Sequence, residues 1–335
     1  MLALLLAVAV SEGDFVVHDF RFASGEKLPE LRLHYRTLGT PGSPAVLILH
    51  GTTGSGSQFL GESFAGELFG PGQLLDAAKH FIVLPDGIGH GGSSKPSDGL
   101  RARFPHYGYA DMVEAQRRLL VEKLGIKHLR VIAGTSMGCM HSWIWAETHP
   151  RFMDAVLALA CLPVQIAGRN RVLRKLAADA IRQDPAWNGG DYERQPVAGL
   201  RGALEVLFFM GSAPGPLQAQ AASRAAADRF AEEWMAKRLA TTDANDFLYA
   251  FEASRDYDPS AALEQIEAAV TAINSADDEV NPPELGILER QIRRIRRGKA
   301  IVLPVGPQTR GHGTHTNAAA WKDHLAELLA RSAGQ

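Results

Sequence analysis

Three short stretches carry side chains that could do chemistry together. The first, Val131-Ile-Ala-Gly134-Thr-Ser136-Met-Gly138, passes from an apolar strand signal through a Gly-x-Ser-x-Gly pentapeptide into a helical stretch. Small residues at 134 and 138 let strand and helix pack closely and leave the Ser136 hydroxyl exposed on a sharp turn. Glycine is common here, 33 of 335 residues, so the pentapeptide gains its weight from the strand before it and the helix after. Otherwise Ser136 would be an ordinary capping residue of a strand-helix turn.

A serine hydroxyl is a poor nucleophile until a base takes its proton and a third group orients that base. The second stretch, Ile273-Asn-Ser-Ala-Asp277-Asp278-Glu279-Val-Asn-Pro282-Pro283, offers the third group. A strand-end carboxylate followed four residues on by proline fits Asp278, preferred to Asp277; at least one of the two is a turn or cap residue. The third stretch, Arg310-Gly-His312-Gly-Thr-His315-Thr, leads into the terminal helix. His312, directly after glycine, is the preferred base, and His315 the alternative. The order serine, acid, histidine is the one this strand-elbow architecture uses. His141 and His149 lie on helical stretches and read as surface or packing groups.

Acyl chemistry also needs donors aimed at a developing oxyanion. The amide of Met137, the residue after the serine, is one. The other should come from His50-Gly51-Thr52-Thr53-Gly54, with Thr52 preferred and Gly51 as alternative.

These parts need a scaffold, and the apolar pattern supplies one. Residues 15–22 and 31–38 alternate as antiparallel strands do, whereas 45–50, 81–85, 129–133 and 155–160 are short continuous apolar runs, the mark of buried parallel strands. Helical stretches at 109–124 and 140–148 fall between them. Residues 165–265 show helical periodicity broken by prolines and no strand signal. Strands return at 268–273 and 300–305, and a helix at 318–331 ends the chain. The reading is an α/β fold, a mostly parallel sheet with helices on both faces. Its core is 13–164 with 266–335, and a helical cap is inserted over 165–265.

Composition narrows the function. The apolar share is 46%, the charged share 21% and the net charge −2, as in an ordinary globular chain. The Arg290 to Arg297 run interleaves with isoleucines and reads as the wet face of an amphipathic helix, which argues against nucleic acid as a partner. Cys139 and Cys161 are expected to be reduced core thiols. The opening run of ten apolar residues is too short to span a bilayer. With residues 11 and 12 it resembles a remnant of a secretion signal without the positive start, which leans towards export. No metal-ligand spacing or phosphate-binding loop is present, and no bound cofactor is expected.

With these residues the chain resembles the α/β-hydrolase superfamily, through His50-Gly51, Asp86-Gly-Ile-Gly89-His-Gly91-Gly-Ser93, the Ser136 elbow, Asp278 with Pro282, and Gly311-His312. Within it the chain is similar to the homoserine O-acetyltransferase branch. The similarity rests on Tyr35-Arg-Thr-Leu-Gly-Thr40 and on the cap string Ala180 to Tyr192 followed by Gly199-Leu200. The resemblance implies an acyl-enzyme on Ser136 and hints at a dimer through the cap. Two substrate-holding positions depart from the family. The Asp that follows the family's histidine is Gly313 here, and its Arg after Gly-Leu falls near Leu204, with Arg201 close by. The acyl-enzyme machinery carries over; homoserine as acceptor does not follow.

The leading expectation is therefore a serine hydrolase for an ester or similar activated acyl group, with Phe208, Phe209, Met210, Trp234 and Met235 as candidate pocket lining or cap core. An acyltransferase using a thioester donor and a small alcohol is the alternative. A catalytically silent binding module is a third reading, disfavoured by the intact Ser136, Asp278 and His312.

Overall fold

A computed structural model of the chain describes residues 9–333. Residues 1–8, most of the expected leader, lie outside the described residues. Val10, Ser11 and Glu12, counted with that leader on sequence grounds, instead pair with Leu38, Thr37 and Arg36.

The chain opens with a long hairpin, β1 (Val10–Arg21) and β2 (Lys27–Leu38), then enters the sheet proper through β3 (Ala45–Leu49). A short helix α1 (Ala65–Leu68) precedes β4 (Phe81–Pro85), and α2 (Tyr109–Arg118), extended by a π-turn at Leu119–Lys123, precedes β5 (Leu129–Thr135). The chain then runs through α3 (Met137–Thr148) into β6 (Ala155–Leu159). The next five helices are α4 (Gly168–Gln183), α5 (Val197–Gly211), α6 (Pro214–Gln220), α7 (Arg224–Thr241) and α8 (Ala244–Glu252). β7 (Ala269–Ser275), α9 (Ile287–Ile292), β8 (Gly298–Leu303) and α10 (Lys322–Arg331) complete the chain.

The eight strands form one sheet in the order β1-β2-β4-β3-β5-β6-β7-β8. The hairpin is antiparallel within itself and joins the rest antiparallel, β2 against β4; the remaining pairings are parallel. β3, β4, β6 and β7 are buried along their whole length. That is the physical reason their sequences are continuous apolar runs: helices cover both faces, so neither face can be polar. One core layer joins the inner hairpin face to Met112, Trp143 and Trp145, and a second packs Phe59, Phe64, Trp321 and Leu325 on the other face. The cap helices have a small core of their own around Ile181, Leu204, Phe247 and Phe251.

Two expectations need correction. Cys139 and Cys161 form a disulfide, their Cα atoms 5.9 Å apart, inside the usual range for a bridge. Cys139 sits in the first turn of α3 and Cys161 just past β6; parallel packing of β5 beside β6 brings them together. The arginine run from 290 does not continue as a helix. α9 stops at Ile292, and Ile295 turns back into the core.

Candidate active site

β5 ends at the sheet's carboxyl edge, and α3 starts one residue later. Ser136, the residue between, has φ 51° and ψ −108°, a conformation that strains any side-chain-bearing residue. Its amide donates to Leu159 O at 2.8 Å, and the Gly138 amide to His50 O at 2.9 Å. The flanking glycines are steric necessities. A Cβ at 134 would collide with the Gly138 carbonyl and Ser142 Oγ, and one at 138 with the Leu49 carbonyl.

His312 and Asp278 arrive from two other strand ends. The Ser136 hydroxyl donates to His312 Nε2 at 2.8 Å, and His312 Nδ1 donates to Asp278 Oδ2 at 2.9 Å. An ionised carboxylate only accepts, so Nδ1 carries the ring proton and Nε2 is left free to accept. Asp278 is 2% exposed, and its second oxygen accepts from the Val280 amide at 2.8 Å and the Asn281 amide at 3.2 Å. Burial alone would raise its pKa. The charge and hydrogen bond of His312, with the Val280 and Asn281 donors, outweigh that and hold it below the ordinary carboxylate value. Asp278 therefore stays ionised.

Asp277 and His315, the residues weighed against these two, occupy supporting positions. Asp277 accepts from the Gly311 amide at 2.9 Å and meets the Ser275 hydroxyl, which pins the histidine loop to the end of β7. His315 packs edge-on against His312, with ring centroids 5.2 Å apart. Burial first, and the neighbouring His312 second, push its pKa down to about 3, so it is neutral.

The turn after β3 lies directly against the serine: a Cβ on Gly51 would stand 3.3 Å from Ser136 Cβ. A hydrogen bond of 3.0 Å from the Gly54 amide to Gly51 O closes it. The amides of Thr52 and Met137 donate to no protein acceptor among the described residues. Beneath the turn, His50 Nε2 accepts from the Gly87 amide at 2.9 Å, so its Nδ1 carries the proton, 2.8 Å from Gly51 O. Burial lowers its pKa, which keeps the ring neutral.

Asp86 is the organiser that sequence reasoning left without a role. It accepts from the Gly56 amide at 2.7 Å and the Gly92 amide at 2.8 Å and pairs with Arg36 at 3.2 Å. It therefore ties the turn after β3 to the loop after β4 and to the hairpin. A strand-end aspartate inside a glycine-rich string, Asp86-Gly-Ile-Gly-His-Gly-Gly, was the available signal.

A cavity of about 420 Å³ opens onto His312 and Thr52. Its cap-side wall includes Leu207, Phe208, Leu217, Phe230 and Trp234, with Arg238 at its border. Of the five cap residues proposed as lining, Phe208 and Trp234 reach this cavity. Phe209 is 64% exposed, and Met210 and Met235 pack in the cap core. Leu204 is fully buried and Arg201 is exposed, so α5 brings no guanidinium to the cavity. At Gly313 a Cβ would meet only Arg310 Cβ, at 3.9 Å. Glycine there reflects a missing side chain rather than a lack of room.

Comparison with known proteins identifies the family and the fold. The family model described as alpha/beta hydrolase fold matches residues 44–298. A homoserine O-acetyltransferase of Natronomonas pharaonis is 30% identical over 299 residues, 76% of this chain and 74% of that protein. The solved structure of the acetyl esterase MekB superposes with a TM-score of 0.83 at 24% identity, over 96% of this chain and 97% of that one. That of a homoserine O-acetyltransferase from Bacillus anthracis gives 0.81 at 22% identity, over 96% and 97%. Identities this low between solved structures speak for the fold alone. The chain belongs to the α/β-hydrolase fold family, in the branch that holds the homoserine O-acetyltransferases, and is an enzyme of acyl-group hydrolysis or transfer.

Proposed function

We propose that the protein is a serine esterase that cleaves a small ester or related activated acyl group through an acyl-enzyme on Ser136. The observation that carries this reading is the unbroken chain Ser136 Oγ, His312 Nε2, His312 Nδ1, Asp278 Oδ2, with steps of 2.8 and 2.9 Å. His312 takes the Ser136 proton as Oγ attacks the acyl carbon. The Thr52 and Met137 amides receive the oxyanion, and each such donor contributes about 3 kcal/mol to the transition state. His312 then protonates the leaving alcohol, activates a water and returns the proton to Ser136 as the acid departs. Asp278 stays ionised throughout, holding the ring in one tautomer and stabilising it when it is charged.

Hydrolysis is preferred to transfer because the cavity wall offers no carboxylate next to His312, where Gly313 stands, to hold an amino-alcohol acceptor. The acyltransferase reading draws support from the name of the 30% identical relative. A panel of p-nitrophenyl esters with alcohol acceptors, homoserine included, separates the two when products are read by mass spectrometry. Free acid whatever the acceptor is expected; acyl transfer to one acceptor in preference to water would overturn hydrolysis. Ser136→Ala is the blank, and turnover surviving in it would remove the acyl-enzyme.

Among the described residues no helix is long and apolar enough to cross a membrane. A dimer through the cap is also proposed. Val172, Leu176 and Phe209 leave more than half of their surface exposed there, and light scattering after gel filtration tests it.

A further inference from the structure

α4 carries a charge in the wrong place. Three of its four outward cations have carboxylate partners: Arg169 with Glu279 at 2.7 Å, Lys175 with Asp179 at 2.6 Å and Arg182 with Glu252 at 3.2 Å; the fourth, Arg171, is half-exposed to water, which screens its charge. Arg174, on the inner face, is 5% exposed and has no acidic partner among the described residues. Its guanidinium rests on the Phe251 ring, 5.3 Å from the centroid. Two of its five N–H donors are taken by neutral groups, Asn170 Oδ1 at 2.9 Å and Ser254 Oγ at 3.1 Å. A buried cation left unpaired is costly, so this arrangement is uphill unless something anionic completes it.

The surroundings show where that partner would lie. The Tyr109 hydroxyl neighbours the side chains of Arg174, Ser254 and Thr52. Tyr109 is 3% exposed, and neither its hydroxyl nor Thr52 Oγ1 has a hydrogen-bond partner. Thr52 is also part of the wall of the His312 cavity. A file of buried groups with free hydrogen-bonding capacity thus leads from the oxyanion turn to an unneutralised guanidinium. Arginine's planar fork matches a carboxylate with two parallel bonds.

We propose that Arg174 recognises a carboxylate on the substrate, so that the site takes esters carrying a negative charge a few atoms from the scissile bond. This rests on the esterase reading and names its substrate class. The carboxylate could belong to the acyl half, as in a dicarboxylic acid monoester, or to the alcohol half, as in an acetylated hydroxy acid.

The test measures kcat/KM for mono(4-nitrophenyl) succinate and O-acetylglycolate, each beside a neutral ester of matching size. The enzymes are the wild type, Arg174→Gln, Arg174→Lys and Tyr109→Phe. Wild type is expected to prefer one charged ester over its neutral match by more than tenfold, and which one assigns the half that Arg174 reads. Arg174→Gln should cut that ratio at least tenfold, mainly through KM, with partial recovery in Arg174→Lys. A wild-type ratio near one for both pairs overturns the proposal. So does an Arg174→Gln that lowers charged and neutral substrates equally, since Arg174 would then only strap α4 to α8. Should the variants not fold, wild-type inhibition by succinate and glycolate against their amides decides. Carboxylates stronger by tenfold support the proposal, and equal inhibition overturns it. Labelling of Ser136 by a fluorophosphonate keeps the two readings apart. Labelling without charge preference sinks this inference alone, and no labelling sinks the esterase reading with it.

Discussion

α3 and α7 are helices of similar kind and opposite circumstance. In α3, 10 of 12 residues are buried, and the helix is fixed at its first turn by the sheet, the turn after β3 and the Cys139–Cys161 bridge. In α7, Met235 is the one buried residue of 18, and the helix leans on the cap through Phe208, Trp234 and their neighbours. The end of the sheet is over-determined, which suits the nucleophile role proposed for Ser136, because a small misplacement of a nucleophile costs orders of magnitude in rate. The cap wall has few fixed contacts and can change its lining without disturbing the elbow. On the proposed function, reaction class would reside in the first region and substrate choice in the second.

The sharpest way to break this division is at the histidines. His312→Ala should lower kcat by about 10³-fold or more, with an unchanged unfolding curve. His315→Ala, which loses only packing against the His312 ring, should stay within about tenfold of wild type. Equal losses in steady-state assays of the two variants would mean that the loop, not one ring, carries the base.

Next in size is the bridge. Closing a loop of 22 residues restricts the unfolded chain and stabilises the fold by about 3 kcal/mol. Cys161→Ala should therefore shift the urea midpoint downward by a matching amount while the cap contributes nothing to the change. Two thiols titrating in the unfolded, unreduced protein would break the expectation.

A smaller effect sharpens the comparison where cap meets core. Asp246 on α8 accepts from the Ser97 amide at 2.9 Å and the Ser97 hydroxyl at 2.6 Å. Burial, against the Ser97 bonds and helped by Asp243, raises its pKa to about 6 from 3.8. The folded state thus holds this proton more tightly than the unfolded chain does. The associated stability is complete below pH about 4 and is lost as pH rises through about 6, amounting to about 1–2 kcal/mol after allowance for solvent screening. In Asp246→Asn the fall between those pH values should flatten, as read from urea midpoints at a series of pH values. A slope equal to that of wild type would remove Asp246 as the source.

The positions of the strands were legible because burial on both faces leaves an unmistakable apolar run, and the strand ends pointed to Ser136, Asp278 and His312, whose side chains the fold brings within hydrogen-bond distance. What stayed hidden depends on neighbours brought together by the sheet. The disulfide links residues whose proximity exists only once β6 lies beside β5. Asp277 and Asp278 differ by one residue, and only the folded loop sends one to Gly311 and the other to His312. Arg174 was readable and was missed. Ala177, Ala178 and Ile181 form the inward stripe of α4, and Arg174 stands three, four and seven residues before them, on the same face. In an Ala- and Arg-rich helix it passed for one more solvated charge.

The backward-bent serine has one further consequence. Holding Ser136 at φ 51° and ψ −108° stores about 1–3 kcal/mol of backbone strain, which glycine would not feel. Ser136→Gly is therefore expected to unfold later than wild type by about 1 kcal/mol while turning over nothing, a result calorimetry can read directly. On the proposed function, the residue that would suit the fold best at this position is thus one that could not carry the acyl group.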